Sequence, residues 1–544
     1  MTRSGLTGAG ATLFAIALAV FVTWPQALHM RGWIFSHHDP YFSIWRLAWI
    51  AHALKTAPRH LFDANIFYPA TNTLAYSDAT LLEGVLAAPF FWAGVSPVLV
   101  YNTLLLIGFA GSGVAMFILA RHLTGATGPA LVSAAVFTLA PYRIEHVMHL
   151  ELQWAMWVPL TFWALHRAVE ERSRRFGVLA GLFFSLQILS CVYYGVFLAM
   201  VLVMFVPLLL VLTGRRGVGA LPVLALGGVL AAVLTLPYLW PYAEAARTLG
   251  ARDPVEIARY SAQPLNYLSA TSLNIFWGWT ADRWGGRELR LFPGALAIAL
   301  AVFSAANKSW RWTVLYGVAA AVAIELSFGI NGALYRWVSA HVAALQGFRS
   351  ASRFAMIAMC GIAVLAGLGV QTILQRNLVP PRWRLGVIPV VLGLMAVDYA
   401  NRAMPLSRED LRTSPIYQVI RSAGPGVVME LPVATPDRLP GWDVTYAFWS
   451  ISHWNPLVNG YSGYHPIDYL RTLSSMRTFP DDASIARLQA HDVRYIVVHR
   501  AFYEPEPYTQ LMLRMAVRPE LRSWGTYKDP VGNAELFVME RPAR

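Results

Sequence analysis

An acid stands just beyond the first long apolar run of this chain. Asp39 lies in FSHHDPYFSIWRLAWIAH, residues 35–52, with His37 and His38 immediately before it. A carboxylate there can orient and polarise an acceptor hydroxyl. Asp-Pro is also a common helix start, with Asp as N-cap and Pro at the first helical position. A capping carboxylate accepts backbone N–H bonds, which lowers its pKa and weakens it as a base. Chemistry at Asp39 would therefore work by orientation and polarisation. After it, Tyr41, Trp45, Trp49 and His52 recur at helical spacing on one face. This reads as a helix lying along a membrane surface, its aromatic stripe anchored in the interface.

Other chemistry-bearing residues are few. Asp78 and Glu83 follow the same loop, and Glu145 and Glu151 lie in PYRIEHVMHLELQW, residues 141–154. An acid at membrane depth is costly and tends to be functional; near the interface it is as well explained by solvation or pairing. HVMH sets His146 and His149 three residues apart on one helical face. With His37, His38 and Glu151 they could supply metal ligands. Asp39 with Glu83 could instead hold a hard divalent ion. GFRSASRF places Arg349 and Arg353 four residues apart, and their guanidinium forks suit phosphate oxygens as well as lipid headgroups. HWNPLVNGYSGYHP contributes Asn459, Tyr461, Tyr464 and His465, a mixture that suits a polyol or a packed loop. No phosphate-binding GxxxxGK[ST] loop, dinucleotide fingerprint, GxSxG elbow or HExxH motif occurs.

The elements that must position these residues are membrane helices. The 544 residues are 56% hydrophobic and 13% charged, where a soluble domain carries about 25% charged residues. Mean hydropathy is +0.46. The net charge of +13 is explained by basic cytoplasmic loops, and no nucleic-acid partner is expected. The two cysteines, Cys191 and Cys360, fall in apolar segments and make no disulfide framework. Apolar runs near 8–28, 99–120, 128–141, 150–167, 176–192, 194–213, 218–239, 291–306, 311–329, 353–374 and 384–401 predict about 11 spans. Residues 80–97 are broken by Gly84, Pro89, Gly94 and Pro97 and read as a surface or re-entrant helix. Every inside segment is then basic, HRAVEERSRRF most of all, with the N-terminus cytoplasmic. Loops 29–98 and 240–290, segment 330–352 and the tail face outward. Glu325 and Asp398, the visible acids within spans, come near the outer ends of their helices.

The fold class expected is an α-helical polytopic membrane domain, residues 1–401, followed by a small α/β extracytoplasmic domain, residues 402–544. In the tail, GVVMELPV and VRYIVVH read as strands and ASIARLQAHD and YTQLMLRMA as helices. SWGTYKDPVGNAELFVME reads as a hairpin turning at Asp529–Asn533.

The whole plan resembles the GT-C superfamily of integral-membrane glycosyltransferases, in which a first helix ends at an acidic motif before a long outer loop. HHDPYFSIWRLAWIAHAL, LFDANIFYPATNTLAYSD, SPVLVYNTLLLIGFAGSGVAMFILARHLTG and LAPYRIEHVMHLELQWAMWVPL resemble an uncharacterised bacterial GT-C-like subfamily. So do GFRSASRF, LVNGYSGYHP and VRYIVVH. The resemblance implies transfer of a sugar from a polyprenyl-phosphate-linked donor to a glycan, lipid or protein acceptor at the outer face of the bacterial inner membrane. It implies Asp39 as the acid near the acceptor, Asp78 or Glu83 as a second acid, and Arg349 or Arg353 on the donor phosphate. His37, His38, Arg143, Glu145, His146, His149 and Tyr461 are then expected to line the substrate. The first-loop motif here is one acid behind two histidines, not a pair of acids, which leaves the second acid and divalent metal use open; no other cofactor is implied. The rival readings are a transporter or lipid flippase, which needs charged residues at the membrane midplane, and a non-catalytic envelope assembly protein, in which Asp39 is only a cap.

Overall fold

The computed structural model describes residues 3–376, 378–409 and 414–540. The chain is mostly helical, with a small C-terminal sheet. Helices occupy each of the eleven apolar segments expected from the sequence. Among the described residues, four are long and apolar enough to cross a membrane: Pro97–Thr124, Val192–Thr213, Leu221–Leu249 and Ala351–Gln375. The others are shorter, as at Thr127–Leu139 and Arg384–Asp398.

Two compact units emerge. The first comprises Met1–Phe35, Tyr101–Trp240 and Gly250–Leu406; the second comprises Ser36–Val100, Pro241–Leu249 and Ser407–Arg544. Most of the long loop after the first helix thus packs with the tail.

In the first unit, small residues let helices approach closely. A Cβ on Gly181 would collide with the carbonyl of Gly227, so helix Arg174–Ser190 and the facing helix meet backbone to backbone. The two acids of the spans cap neighbouring helices. Glu325 accepts from the N–H groups of Ala333 and Leu334, both at 2.8 Å. Asp398 accepts from Trp277 Nε1 at 2.7 Å and from the Leu296 N–H at 3.1 Å. Both carboxylates thus lie at the positive ends of helices.

The second unit is built on four strands: β1 (Val427–Leu431), β2 (Val493–His499), β3 (Leu521–Asp529) and β4 (Gly532–Met539). Their order is β1-β2-β4-β3, with β1 and β2 parallel and the other pairs antiparallel. The β3–β4 hairpin closes at Asp529–Gly532, and helices Asp482–Ala490 and Pro505–Ala516 lie where the sequence puts them. Residues 57–76 are stitched to this domain by backbone. Phe67 donates to the Asn459 carbonyl, Tyr68 to that of Leu457, and Leu457 to that of Asn65. Gly460 is required here because a Cβ would enter the ring of Phe67.

Helix Asp39–Thr56 corrects two expectations. Its first helical residue is Asp39 and its N-cap position belongs to His38. The aromatic stripe faces protein. Trp45 is fully buried and donates from Nε1 to Asn65 Oδ1 at 3.1 Å. Trp49 donates to the Leu61 carbonyl at 2.9 Å, Tyr41 meets Phe448 edge-on, and His52 stacks on Trp454 with ring centroids 4.5 Å apart. Helix Asp443–Trp449 packs against the same helix. A protein partner offers these rings both apolar contact and fixed hydrogen-bond acceptors, and burying each contributes roughly 1.5–3 kcal/mol. Spacing alone cannot tell such a seam from a lipid-facing belt.

Candidate functional site

The candidate side chains form two groups, one within each unit. In the second unit, the turn FSHHD brings Asp39 to the start of its helix, 9% exposed. Tyr461 reaches it from the tail, and its hydroxyl donates to Asp39 Oδ1 at 2.6 Å. His37 folds back so that its Nδ1 accepts the Asp39 backbone N–H at 3.2 Å, and the same nitrogen lies 3.2 Å from Oδ2. His38 is held below the ordinary histidine value, first by burial and then by the charge of His37. The Phe42 ring, edge-on to Tyr461, carries the Arg46 guanidinium 4.6 Å from its centre. Arg46 donates to the Asp78 carbonyl and to Ser43 Oγ. Asp78 and Glu83 are both buried in this unit, Glu83 completely. Next to the site, the Tyr41 hydroxyl donates to Glu409.

Two residues before Tyr461, Asn459 joins a buried polar network. Asn459 receives the Glu430 N–H at 2.7 Å and donates to the Glu430 carbonyl and to Asp443 Oδ1. Tyr469 donates to Asp443 Oδ2 at 2.6 Å. Beneath it His499 bridges Glu430 Oε2 (2.5 Å) and Asp529 Oδ2 (2.6 Å).

The first unit holds the other group. Arg143 is buried: its Nε and Nη2 donate to Gln153 Oε1 and the Gln153 carbonyl, and it lies over Phe109. Glu145 takes Arg290 Nη1 on both oxygens at 3.0 Å; Arg290 also binds Asp282 at 2.7 Å. Burial raises the Glu145 carboxyl, and Arg290 opposes it. His146 is buried against Tyr142, with ring centroids 4.5 Å apart. A ring nitrogen of His146, one of His149 and a carboxylate oxygen of Glu288 lie within 4.8 Å of one another. Arg353 reaches Glu288 Oε1 at 3.4 Å and lies over the Tyr193 ring. Burial alone would raise Glu288, but Arg353, with His146 and His149, holds it well below the usual carboxylate range.

The two arginines of GFRSASRF differ. Arg353 is buried and occupied by Glu288. Arg349 has a third of its side chain exposed (33%), pairs with Glu256 Oε1 at 3.3 Å, and lies over the Tyr260 ring. Its backbone N–H donates to the Tyr193 hydroxyl. Glu288, Glu256, Tyr193 and Tyr260 were not singled out from the sequence. The signal for Glu288 was faint: one acid between two outer arginines in GGRELR.

No family model matches the sequence, and no curated protein matches it. Solved structures do resemble it in fold. The arabinofuranosyltransferase AftD from mycobacteria aligns over 99% of this chain with a TM-score of 0.68 and 12% identity. This chain spans 40% of AftD's length. The archaeal oligosaccharyltransferase AglB from Archaeoglobus fulgidus, in complex with an inhibitory peptide and a dolichol-phosphate, aligns over 97% of this chain and 73% of its own (TM-score 0.51, 13% identity). ArnT from Cupriavidus metallidurans, bound to undecaprenyl phosphate, aligns over 98% of both chains (TM-score 0.51, 13% identity). At these identities the likeness is one of fold.

Proposed function

We propose that this chain, which has the fold of the GT-C membrane glycosyltransferases, transfers a sugar from a polyprenyl-phosphate-linked donor to an envelope glycan, lipid or protein acceptor. It works at the outer face of a bacterial inner membrane, with about 11 crossings, the N-terminus cytoplasmic and the C-terminal domain extracytoplasmic. The observation that carries the reading is Asp39: a mostly buried carboxylate at a helix start, fixed through one oxygen by the Tyr461 hydroxyl. The lipid phosphates bound by AglB and ArnT support the choice of donor.

The chemistry follows from these side chains. Tyr461 fixes the carboxylate through Oδ1, and the charged carboxylate takes the hydrogen of the acceptor's hydroxyl or amide. The acceptor atom attacks the anomeric carbon as the carbon–oxygen bond to phosphate breaks. The lipid phosphate leaves with the bonding electron pair, and the acceptor proton passes to Asp39 or to water. Arg349, more exposed than Arg353, binds the departing phosphate, and Arg353 positions Glu288.

The test is reconstitution of the purified chain in lipid with a polyprenyl-phosphate-linked sugar. Release of polyprenyl phosphate is expected, increasing with acceptor. Arg349→Met should raise the KM for the donor about 10- to 100-fold, the worth of one charge-assisted hydrogen bond, with a smaller effect on kcat. An unchanged donor KM in that variant puts the phosphate elsewhere. Failure to turn over any lipid-linked sugar, while the protein remains folded, rejects the transferase reading.

A further inference from the structure

A second chemistry is built around the turn that joins helices Pro141–Glu145 and Leu150–Gln153. The turn is rigid. His149 donates its N–H to the His146 carbonyl at 3.0 Å, and Gln153 Nε2 donates to that same carbonyl at 2.8 Å. Arg143 in turn grips Gln153. His146 and His149 therefore leave one short, braced segment with their rings 6.1 Å apart. Glu288 comes from the loop before Arg290, fixed by Arg353 through Oε1.

Two atoms of this cluster are anomalous. His146 Nε2 and Glu288 Oε2 are each buried and make no hydrogen bond among the described residues. A buried polar atom left unmade costs about 1–3 kcal/mol, so two of them in one braced cluster call for a ligand. The surroundings are also prepared. His149 Nδ1 lies 4.0 Å from Glu151 Oε1, while its Nε2 lies 3.8 Å from Glu288 Oε1. A carboxylate behind one ring nitrogen, with the other turned to the cluster, is the arrangement that orients a metal-binding imidazole.

We infer that His146, His149 and Glu288 form a divalent-cation site, with two imidazole nitrogens and one carboxylate oxygen as protein ligands and one position left open. The donor set suits zinc, and disfavours magnesium and calcium, which take oxygen. The donors now span up to 4.8 Å. Zinc–nitrogen and zinc–oxygen bonds of about 2 Å bring tetrahedral ligands to roughly 3.3 Å of one another, a closure of about 1.5 Å that side-chain rotation provides. The Arg353 guanidinium opposes a cation here, but it contacts the other Glu288 oxygen, and Glu151 adds a second negative charge behind His149. The rival occupant of the cluster is a proton, making His149 and Glu288 a plain ion pair. The site does not depend on the transferase reading.

The experiment uses the full chain in detergent or nanodiscs, stripped with a chelator and exposed to zinc or to cobalt(II). Elemental analysis after removal of free ion should give one zinc per chain. Cobalt should give the visible ligand-field absorption of a four-coordinate centre. His146→Ala, His149→Ala and Glu288→Gln should each weaken metal binding by more than about 100-fold, while His37→Ala and His38→Ala retain it. Glu288→Gln conserves shape, and the cobalt spectrum of the unmodified chain needs no variant, so misfolding of one variant does not blunt the test. An unmodified chain that shows no cobalt band, or holds no more zinc than Glu288→Gln, leaves only the ion pair and overturns the site.

Discussion

If the proposed transferase function holds, replacing Asp39 by Asn should lower sugar transfer by about 100-fold or more while the protein accumulates to its normal level. Asparagine has the size of aspartate, and its amide oxygen can still accept the Tyr461 hydroxyl that now lies 2.6 Å from Oδ1. The start of the helix is therefore preserved and only the negative charge is lost. A carboxylate that orients an acceptor hydroxyl acts most in the transition state, as the proton becomes acidic, so the loss should fall on kcat more than on KM. Tyr461→Phe supplies the complementary case. It keeps the charge and frees Oδ1 to rotate, and should cost about tenfold, again mostly in kcat. The comparison is made on single preparations, by release of polyprenyl phosphate and by thermal unfolding. Wild-type turnover in Asp39→Asn would end the catalytic assignment and leave the carboxylate as a structural anchor for Tyr461.

That pairing marks the boundary of what the sequence could say. Asp39 was visible because an acid after a long apolar run is rare, and Tyr461 because it sits in a polar, aromatic stretch. Their contact joins positions 422 residues apart, and nothing local encodes it. The strands Val427–Leu431 and Val493–His499 were legible as β-branched runs between turn residues, yet their parallel pairing was not. The helices were legible from apolar length, since a membrane leaves the backbone few alternatives. The side of a helix that meets protein was not: Trp45 and Trp49 have the periodicity of an interfacial belt and the burial of a core. Glu288 was hardest to see. Its meaning comes from His146, His149 and Arg353, which reach it from two distant segments.

The C-terminal domain should lose stability as pH rises from about 6 to about 10, and His499 should be the main cause. Burial by itself would push the His499 imidazole down. Glu430 and Asp529, bound to its two nitrogens, overcome that and lift it to about 9 from 6.5. The folded state thus binds this proton more tightly than the unfolded state. Its contribution is complete below pH 6.5 and is lost as pH rises through 9, a total of roughly 3 kcal/mol. Asp443 acts in the same direction at lower pH. Burial raises its carboxyl from 3.8 to about 7, against the pull of Tyr469 and Asn459, so its ionisation drains stability between those values. Both groups lie in the network that holds Asn459, two residues before Tyr461. His499→Gln removes the cation and leaves Glu430 and Asp529 buried together, a loss of about 3–5 kcal/mol. Hydrogen exchange on the intact protein reads the result directly. Amides of Val493–His499 should lose protection in His499→Gln and, in the unmodified chain, at pH 9.5 relative to pH 6.5 after correction for intrinsic exchange. Transfer activity should fall in parallel, because the segment that presents Tyr461 to Asp39 is anchored on the same network. Equal protection at both pH values would mean that His499 is neutral in the folded domain and that its two carboxylate partners are held by something other than its charge.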